Sequence, residues 1–270
     1  MVVEIPRWTD GKIEIKRTEP MNPIFHDDKD DLPRFVESVW PHKSYPFLYG
    51  SIPQTWESPN FNHDFTNFPG DNDPIDVFDI GLDPGYVGQI KQVKILGGLA
   101  LADGEETDWK ILAIDTNDTL AGLVNSLEDL EKYRPNLAQT FYDWFTVGWD
   151  TSKRLSSPNH SVHKQYYKVA RGDDLIPIIG NAYQDAVFIE DVVAEGHGYW
   201  AELVAGTVDT GKINYNQTSD PLLKDSYVTA CEVSGKLGIP HESNVLPAAA
   251  KPAKYDHWYY LDENRKLIEI

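Results

Sequence analysis

Two apolar runs, QIKQVKILGGLALA (89–102) and WKILAID (109–115), flank the acidic turn DGEETD (103–108). Short runs rich in Val, Ile and Leu and bounded by turn residues read as β-strands, so this stretch predicts a hairpin. The Gly97-Gly98 pair marks a bend in its first strand. The rest of the N-terminal half has the same character. Residues 2–17, with VVEIPRW and KIEIK strand-like, read as a hairpin around Thr9-Asp10-Gly11. A two-residue turn there puts Glu4 opposite Lys12 and Glu14, whereas a three-residue turn with Gly11 left-handed puts all three on one face. RFVESVW (34–40) and VFDIG (77–81) are further strand candidates. Many short strands separated by turns predict an all-β barrel over about residues 1–115.

After residue 115 the hydrophobic period changes. Ser126, with Asp129 three residues on, resembles a capping box ahead of SLEDLEKY (126–133). Pro135 interrupts, and NLAQTFYDWF (136–145) continues as a second short helix. A polar loop follows, then a longer helix at 181–206 with Ala182, Val187, Val193 and Trp200 expected on its buried face. DHWYYL (256–261) reads as a last docking strand in an otherwise irregular tail. The expected fold is therefore α+β and mainly β. It is one domain over 1–270, with a barrel core (1–115), helices at about 126–145 and 181–205, and a C-terminal wrap (206–270).

With 41% hydrophobic residues the chain can bury a core. Its 43 acidic residues against 24 basic argue against a general nucleic-acid partner. No apolar run approaches the ~20 residues of a membrane span, so no membrane partner is expected. The single Cys231 favours a reducing compartment, and MVVEIPRW lacks the features of a secretory signal, so a cytoplasmic location is expected.

GDNDPIDVFDIG (70–81) crowds Asp71, Asp73, Asp76 and Asp79 into nine positions of a chain that carries a net charge of −19. Pro74 disfavours a helix here. In an extended segment Asp71 and Asp73 share a face, and a turn at Pro74 can return Asp76 toward them. Oxygen ligands without His or Cys favour Mg²⁺, Mn²⁺ or Ca²⁺ over Zn²⁺. Taken alone, such a motif is more often a solvated acidic turn. Asp103, Glu106 and Asp108 form a second acidic group, and by period two Asp108 shares a strand face with Lys110. Glu4, Lys12 and Glu14 are a third group, readable by itself as a surface ladder. Together the three propose carboxylates that collect divalent cations, basic groups that neutralise phosphate oxygens, and phosphoryl transfer to water.

The run GDNDPIDV resembles the D-x-D-P-x-D signature of family I soluble inorganic pyrophosphatases. The blocks VVEIPRWTDGKIEI (2–15), RFV…WPH…Y…YG…PQTWE (34–57), GQIKQVK (88–94) and DGEETDWKILAID (103–115) resemble the eukaryotic, fungal-like type. The resemblance is dense from residue 2 to about 145. It implies a five-stranded OB-like barrel with flanking helices, and hydrolysis of inorganic diphosphate to two phosphates by metal-activated water attack. It implies several Mg²⁺ ions, for which Mn²⁺ can substitute, and a homodimer. The metal ligands it implies are Glu14, Asp71, Asp73, Asp76, Asp103 and Asp108, with Asp73 as general base. The implied phosphate-holding groups are Lys12, Arg34, Tyr49 and Lys110, and Glu4, Tyr45, Glu57 and Glu106 are supporting residues. It also favours the three-residue turn at Gly11, because Glu4, Lys12 and Glu14 must meet.

Two departures stand out. The family's Tyr-Lys pair follows soon after the W-F of the second helix, but here Trp144-Phe145 runs into Thr146-Val147-Gly148-Trp149. The expectation is an insertion over 147–165, with Tyr167-Lys168 as the pair that completes the phosphate clamp. Eukaryotic-type members also carry more residues ahead of the E-I-P-R-W strand, a difference expected to bear on stability or dimerisation and not on a matched catalytic residue. Two alternatives follow from the insertion and the clamp: a hydrolase repurposed for an organic diphosphate, and a non-catalytic binding protein.

Overall fold

A computed structural model of the chain describes residues 1–36, 38–40, 45–103, 105–145, 178–242, 247–256, 258–260 and 268. The expected insertion and Tyr167-Lys168 lie outside the described residues. The backbone of the fold is the expected hairpin. β9 (Val93–Asp103) and β10 (Glu106–Asp115) pair antiparallel from Asp103↔Glu106 to Val93↔Asp115, with a bulge between Leu112 and Ala113. Four other strands join them in the order β1-β7-β8-β10-β9-β11, where β1 is Val2–Ile5, β7 Leu48–Ser51, β8 Asp76–Asp79 and β11 Gln184–Asp185. β8 runs parallel to β10, with Asp76 beside Lys110, and antiparallel to β7.

Alternation along β10 divides the core between two faces. Trp109, Ile111 and Ala113 pack with Met1, Val3, Leu48, Ile75, Val77 and the helix residues Ile189 and Val192. Leu112 and Ile114 face the other way, with Phe78, Leu99, Leu101, Phe141 and Phe145. Helices cover both faces, which is why β10 is apolar on both sides. α1 (Leu127–Tyr133) starts as its sequence predicts: the Ser126 hydroxyl accepts from the Asp129 N–H. α2 (Leu137–Phe145) packs on the same side, and α3 (Ala186–Ala205) lies on the other. Gly97 and Gly98 sit where β11 pairs with β9. A Cβ at Gly97 would lie 2.7 Å from the Gln184 carbonyl oxygen and 2.9 Å from Leu127, so only glycine admits this approach.

Several expectations are corrected. Residues 2–17 are not a hairpin. β1 pairs with β7, while β2 (Ile13–Ile15) pairs with β3 (Ile24–His26) in a separate two-stranded sheet. Gly11 is not left-handed and bridges Phe35 instead. The five-stranded OB-like barrel is not overturned but is not seen closed: among the described residues the ladders form one six-stranded sheet and three two-stranded ones. The edge of β1 away from β7 bonds the segment leading into β9, through Gln89 O at 2.8 Å and the Lys91 N–H at 3.0 Å, without forming a closing ladder. What stands is an α+β, mainly β architecture. The expected buried face of α3 is partly out of phase: Val193 packs half-buried on the core, but Val187 is 69% exposed, and the buried residues are Ile189, Val192, Gly196, Leu203 and Val204. Asp185, the N-cap paired into β11, sets that phase, and Gly196 lets the helix settle on Ile75.

Among the described residues of the strand expected at 34–40 only β6 (Ser38–Val39) is a strand; β5 (Leu32–Pro33), just before it, pairs with β4 (Asp28–Lys29). β12 (Trp258–Tyr259) docks parallel on β6, as DHWYYL suggested. Among the described residues the tail between is irregular apart from α4 (Val233–Leu237) and a single helical turn at Ala253–Tyr255. Among the described residues no helix is long and apolar enough to cross a membrane.

Candidate active site

β8 and β10 carry the centre of the site. Their parallel register sets Asp76 beside Lys110, and period two puts Asp108 on the same face two residues earlier. The Lys110 ammonium donates to both Asp76 and Asp108. On the neighbouring β7, the Tyr49 hydroxyl donates to Asp76 Oδ1 at 2.8 Å. β2 and the residue before it bring in Lys12, 3.0 Å from Glu14 and 5.1 Å from the centre of the Tyr49 ring. Arg34 enters from the far end of the β4–β5 hairpin, with its guanidinium 2.8 Å from Asp27.

The aspartate loop is shaped by its backbone. The Asp71 carboxylate accepts the Asp73 N–H at 2.9 Å, Asn72 takes φ 72°, and Glu57 exchanges backbone hydrogen bonds with Asn72 and Asp73. This turn around Pro74 aims Asp71, Asp73 and Asp76 at one cavity of about 210 Å³. Glu4, Lys12, Glu14, Arg34, Tyr45, Tyr49, Asp103, Asp108 and Lys110 line the same cavity. Glu57 stands behind it. Its Oε1 accepts the Trp109 N–H at 3.0 Å, its Oε2 has no hydrogen-bond partner among the described residues, and its carboxylate lies with those of Asp71 and Asp108 within 4.8 Å.

Two of the expected site residues fall elsewhere in role or place. Glu57, expected as a supporting residue, belongs to this tight carboxylate trio. Glu106 is exposed at the hairpin tip opposite Asp103 and does not line the cavity. Asp79, the fourth aspartate of the run, is buried 2.7 Å from Lys91, which also pairs Asp115 at 2.9 Å. It serves the fold and not the cavity.

The electrostatics are those of a site short of positive charge. Burial, with Asp76 next, pushes the Glu4 carboxyl up to about 8. Burial pushes Asp108 up to about 6 in spite of Lys110. Asp71 and Glu57 are raised well above the carboxylate range by burial and by each other's neighbours, Asp108 foremost for Asp71 and Asp71 foremost for Glu57. Burial works against the Lys110 ammonium, but Asp108, Asp76 and Asp71 outweigh it and hold the group well above its ordinary value. Carboxylates packed this closely in low dielectric need either protons or a hard cation. Among the described residues no His or Cys lines the cavity. The orphaned Glu57 oxygen and the oxygen-only donor set fit such a cation.

Sequence reasoning missed Arg17, whose guanidinium donates to Asp73 Oδ1. Counting by twos from Lys12 and Glu14 leads to Lys16, but β2 ends at Ile15 and Arg17 sits in the following turn, where alternation no longer applies. It also missed the apolar wall of Phe78, Trp144 and Phe145, which are core residues that happen to reach the cavity.

A family model described as inorganic pyrophosphatase matches residues 1–184. The chain is 39% identical over 264 residues to the inorganic pyrophosphatase of Kluyveromyces lactis, covering 97% of this chain and 83% of that protein. It is 39% identical over 263 residues to that of Emericella nidulans, with the same coverage. Among solved structures it is similar to the inorganic pyrophosphatase of Schistosoma japonicum, with a TM-score of 0.81 at 31% identity over 96% of this chain and 85% of that one. It is also similar to an N-terminally truncated vacuolar soluble pyrophosphatase of Trypanosoma cruzi solved in complex with PPi, with a TM-score of 0.63 at 33% identity over 75% of this chain and 68% of that one.

Proposed function

This chain belongs to the inorganic pyrophosphatase family and hydrolyses inorganic diphosphate, and we propose that it does so with Mg²⁺ held by the carboxylates of the cavity. The carrying observation is that buried and half-buried carboxylates share one cavity of about 210 Å³ with Lys12, Arg34, Tyr49 and Lys110. Glu14, Asp71, Asp73, Asp76, Asp103 and Asp108 would hold the cations. Glu57 sits within reach of the same place. Such ions supply positive charge and lower the pKa of a water that they hold.

The chain's own groups supply the rest. Lys12, Arg34 and Lys110 take phosphate oxygens by charge-assisted hydrogen bonds, and the Tyr49 hydroxyl adds a neutral donor. Asp73, at the mouth, accepts the proton as the water oxygen bonds to one phosphorus. The bond from that phosphorus to the bridging oxygen breaks, and the second phosphate leaves with the bonding pair. Tyr45, Phe78, Trp144 and Phe145 keep bulk water from the anhydride, which strengthens every charge interaction inside. The cavity is smaller than the roughly 300–1,000 Å³ of sites for drug-sized ligands, which supports inorganic over organic diphosphate. Tyr167 and Lys168 belong to the same reading as the rest of the clamp.

We extend the reading to a homodimer in a reducing, cytoplasmic setting. Exposed Trp40, in ring contact with Trp258 and Tyr260, supports the first, and the lone Cys231 the second. The test of the chemistry is phosphate release from inorganic diphosphate with Mg²⁺, beside Asp73→Asn and a panel of organic diphosphates. Release from the inorganic substrate should fall by about 10²-fold or more in Asp73→Asn, the range for general-base catalysis. Release only from an organic member of the panel would overturn the substrate assignment, and an undiminished variant would remove Asp73 from its role.

A further inference from the structure

We propose that Arg17 is the exchangeable counter-charge of Asp73, a positioning residue that pairs with this carboxylate until Mg²⁺ replaces it. The proposal rests on the metal-dependent reading above. Arg17 and Lys110 each donate directly to an aspartate of the 71–76 loop, and their settings differ. Lys110 is buried and held by two aspartates at once, Asp76 and Asp108. Arg17 approaches from the mouth, where its side chain is 35% exposed and that of Asp73 48%.

Arg17 also has somewhere to withdraw. Beside it lies a second cavity of about 190 Å³, lined by Trp200 and Leu203 of α3 and by Ile213 and Tyr215 of the C-terminal wrap. Among the described residues that line it, Arg17 is the single charged one. A guanidinium on an apolar stem can move from a carboxylate into such a space without meeting a like charge. Its backbone meanwhile is held. The Arg17 carbonyl accepts the Asn214 N–H at 2.8 Å and the Asn22 side-chain amide at 2.9 Å, and that amide also bonds the Asn214 carbonyl at 2.9 Å. The wrap therefore fixes the base of the Arg17 side chain and leaves its tip to exchange. Since the substituted atoms are those of the tip, replacing them leaves the wrap's hydrogen bonds in place.

The experiment is calorimetric titration with Mg²⁺ alone, without substrate, of the unsubstituted chain, Arg17→Gln, Arg17→Lys, Asp73→Asn and the Arg17→Gln/Asp73→Asn double variant, each checked for folding by circular dichroism. A part-exposed ion pair shifts an equilibrium by about two- to five-fold. Arg17→Gln should tighten Mg²⁺ binding by about that factor when Asp73 is present, and Arg17→Lys should return it toward the starting value. In the Asp73→Asn background the same change should do nothing, as a double-mutant cycle requires of a pair that acts directly. Weaker or unchanged binding in Arg17→Gln would overturn the proposal. So would equal tightening in both backgrounds, which is the mark of a general charge effect. Failure of the unsubstituted chain to bind Mg²⁺ would overturn the metal-dependent reading as well, so the two failures are distinguishable.

Discussion

Burial pushes the Glu4 carboxyl up to about 8 and the Asp108 carboxyl up to about 6, from ordinary values of 4.5 and 3.8. In the unfolded chain both protons are lost near the ordinary values, while the folded, metal-free chain keeps them to higher pH. Between those limits the native state binds more protons, so stability falls as pH rises, by up to about 1.4 kcal/mol per pH unit for each such proton. Asp71 and Glu57, raised by the same causes, act in the same direction. We therefore expect metal-free protein in chelator to unfold at lower urea as pH is raised from about 5 to about 8, with Glu4→Gln reducing the slope by roughly one proton. Saturating Mg²⁺ should flatten it, because a cation stabilises the ionised carboxylates. A urea midpoint that rises over this window in chelator would contradict the assignment. At this scale the sequence was most legible: Asp71, Asp73, Asp76, Asp103, Asp108 and Lys110 all reach one cavity. Arg17 was illegible because it lies in a turn, and Glu57 looked peripheral because only the fold sets it beside Asp71 and Asp108.

Among the elements, the β9–β10 hairpin carries the site and could be read directly. Its two apolar runs, its acidic turn and its glycine pair are all local signals. Gly97→Ala tests why the pair is there. The added carbon meets the Gln184 backbone oxygen and Leu127, so we expect a loss of about 1–3 kcal/mol, measured by urea unfolding, while phosphate release per folded molecule holds. No loss would mean that β11 gives way freely. The supposed first hairpin failed for the opposite reason. VVEIPRW and KIEIK are each strand-like, but strand propensity does not name a partner, and burial against β7 and β3 won over proximity in sequence. The parallel pairing of β8 with β10 left no local trace either, though it sets Asp76 against Lys110.

At the scale of the whole molecule, the chain after residue 206 returns to its first half. Asn60 donates to the Asp209 carbonyl at 2.9 Å, Lys251 pairs Asp10 at 2.6 Å, and β12 joins β6. Tyr255 is buried against Phe35, and Val228 is buried as well. On our reading of 1–270 as a single domain, tail and sheet should unfold together. Tryptophan fluorescence and far-ultraviolet circular dichroism should then give coincident urea transitions, and two separated transitions would divide the chain into independent units. The sequence by itself determined the chemistry at hand: which carboxylates and cations are present, and that the long strands come before the first helices. It did so because residue type and short-range period are local properties. Only the tertiary structure decided which strands are neighbours, that Glu57 joins the carboxylate trio, and that Arg17 stands at Asp73. Those depend on contacts between segments far apart in the chain, where burial of apolar surface outweighs any local preference.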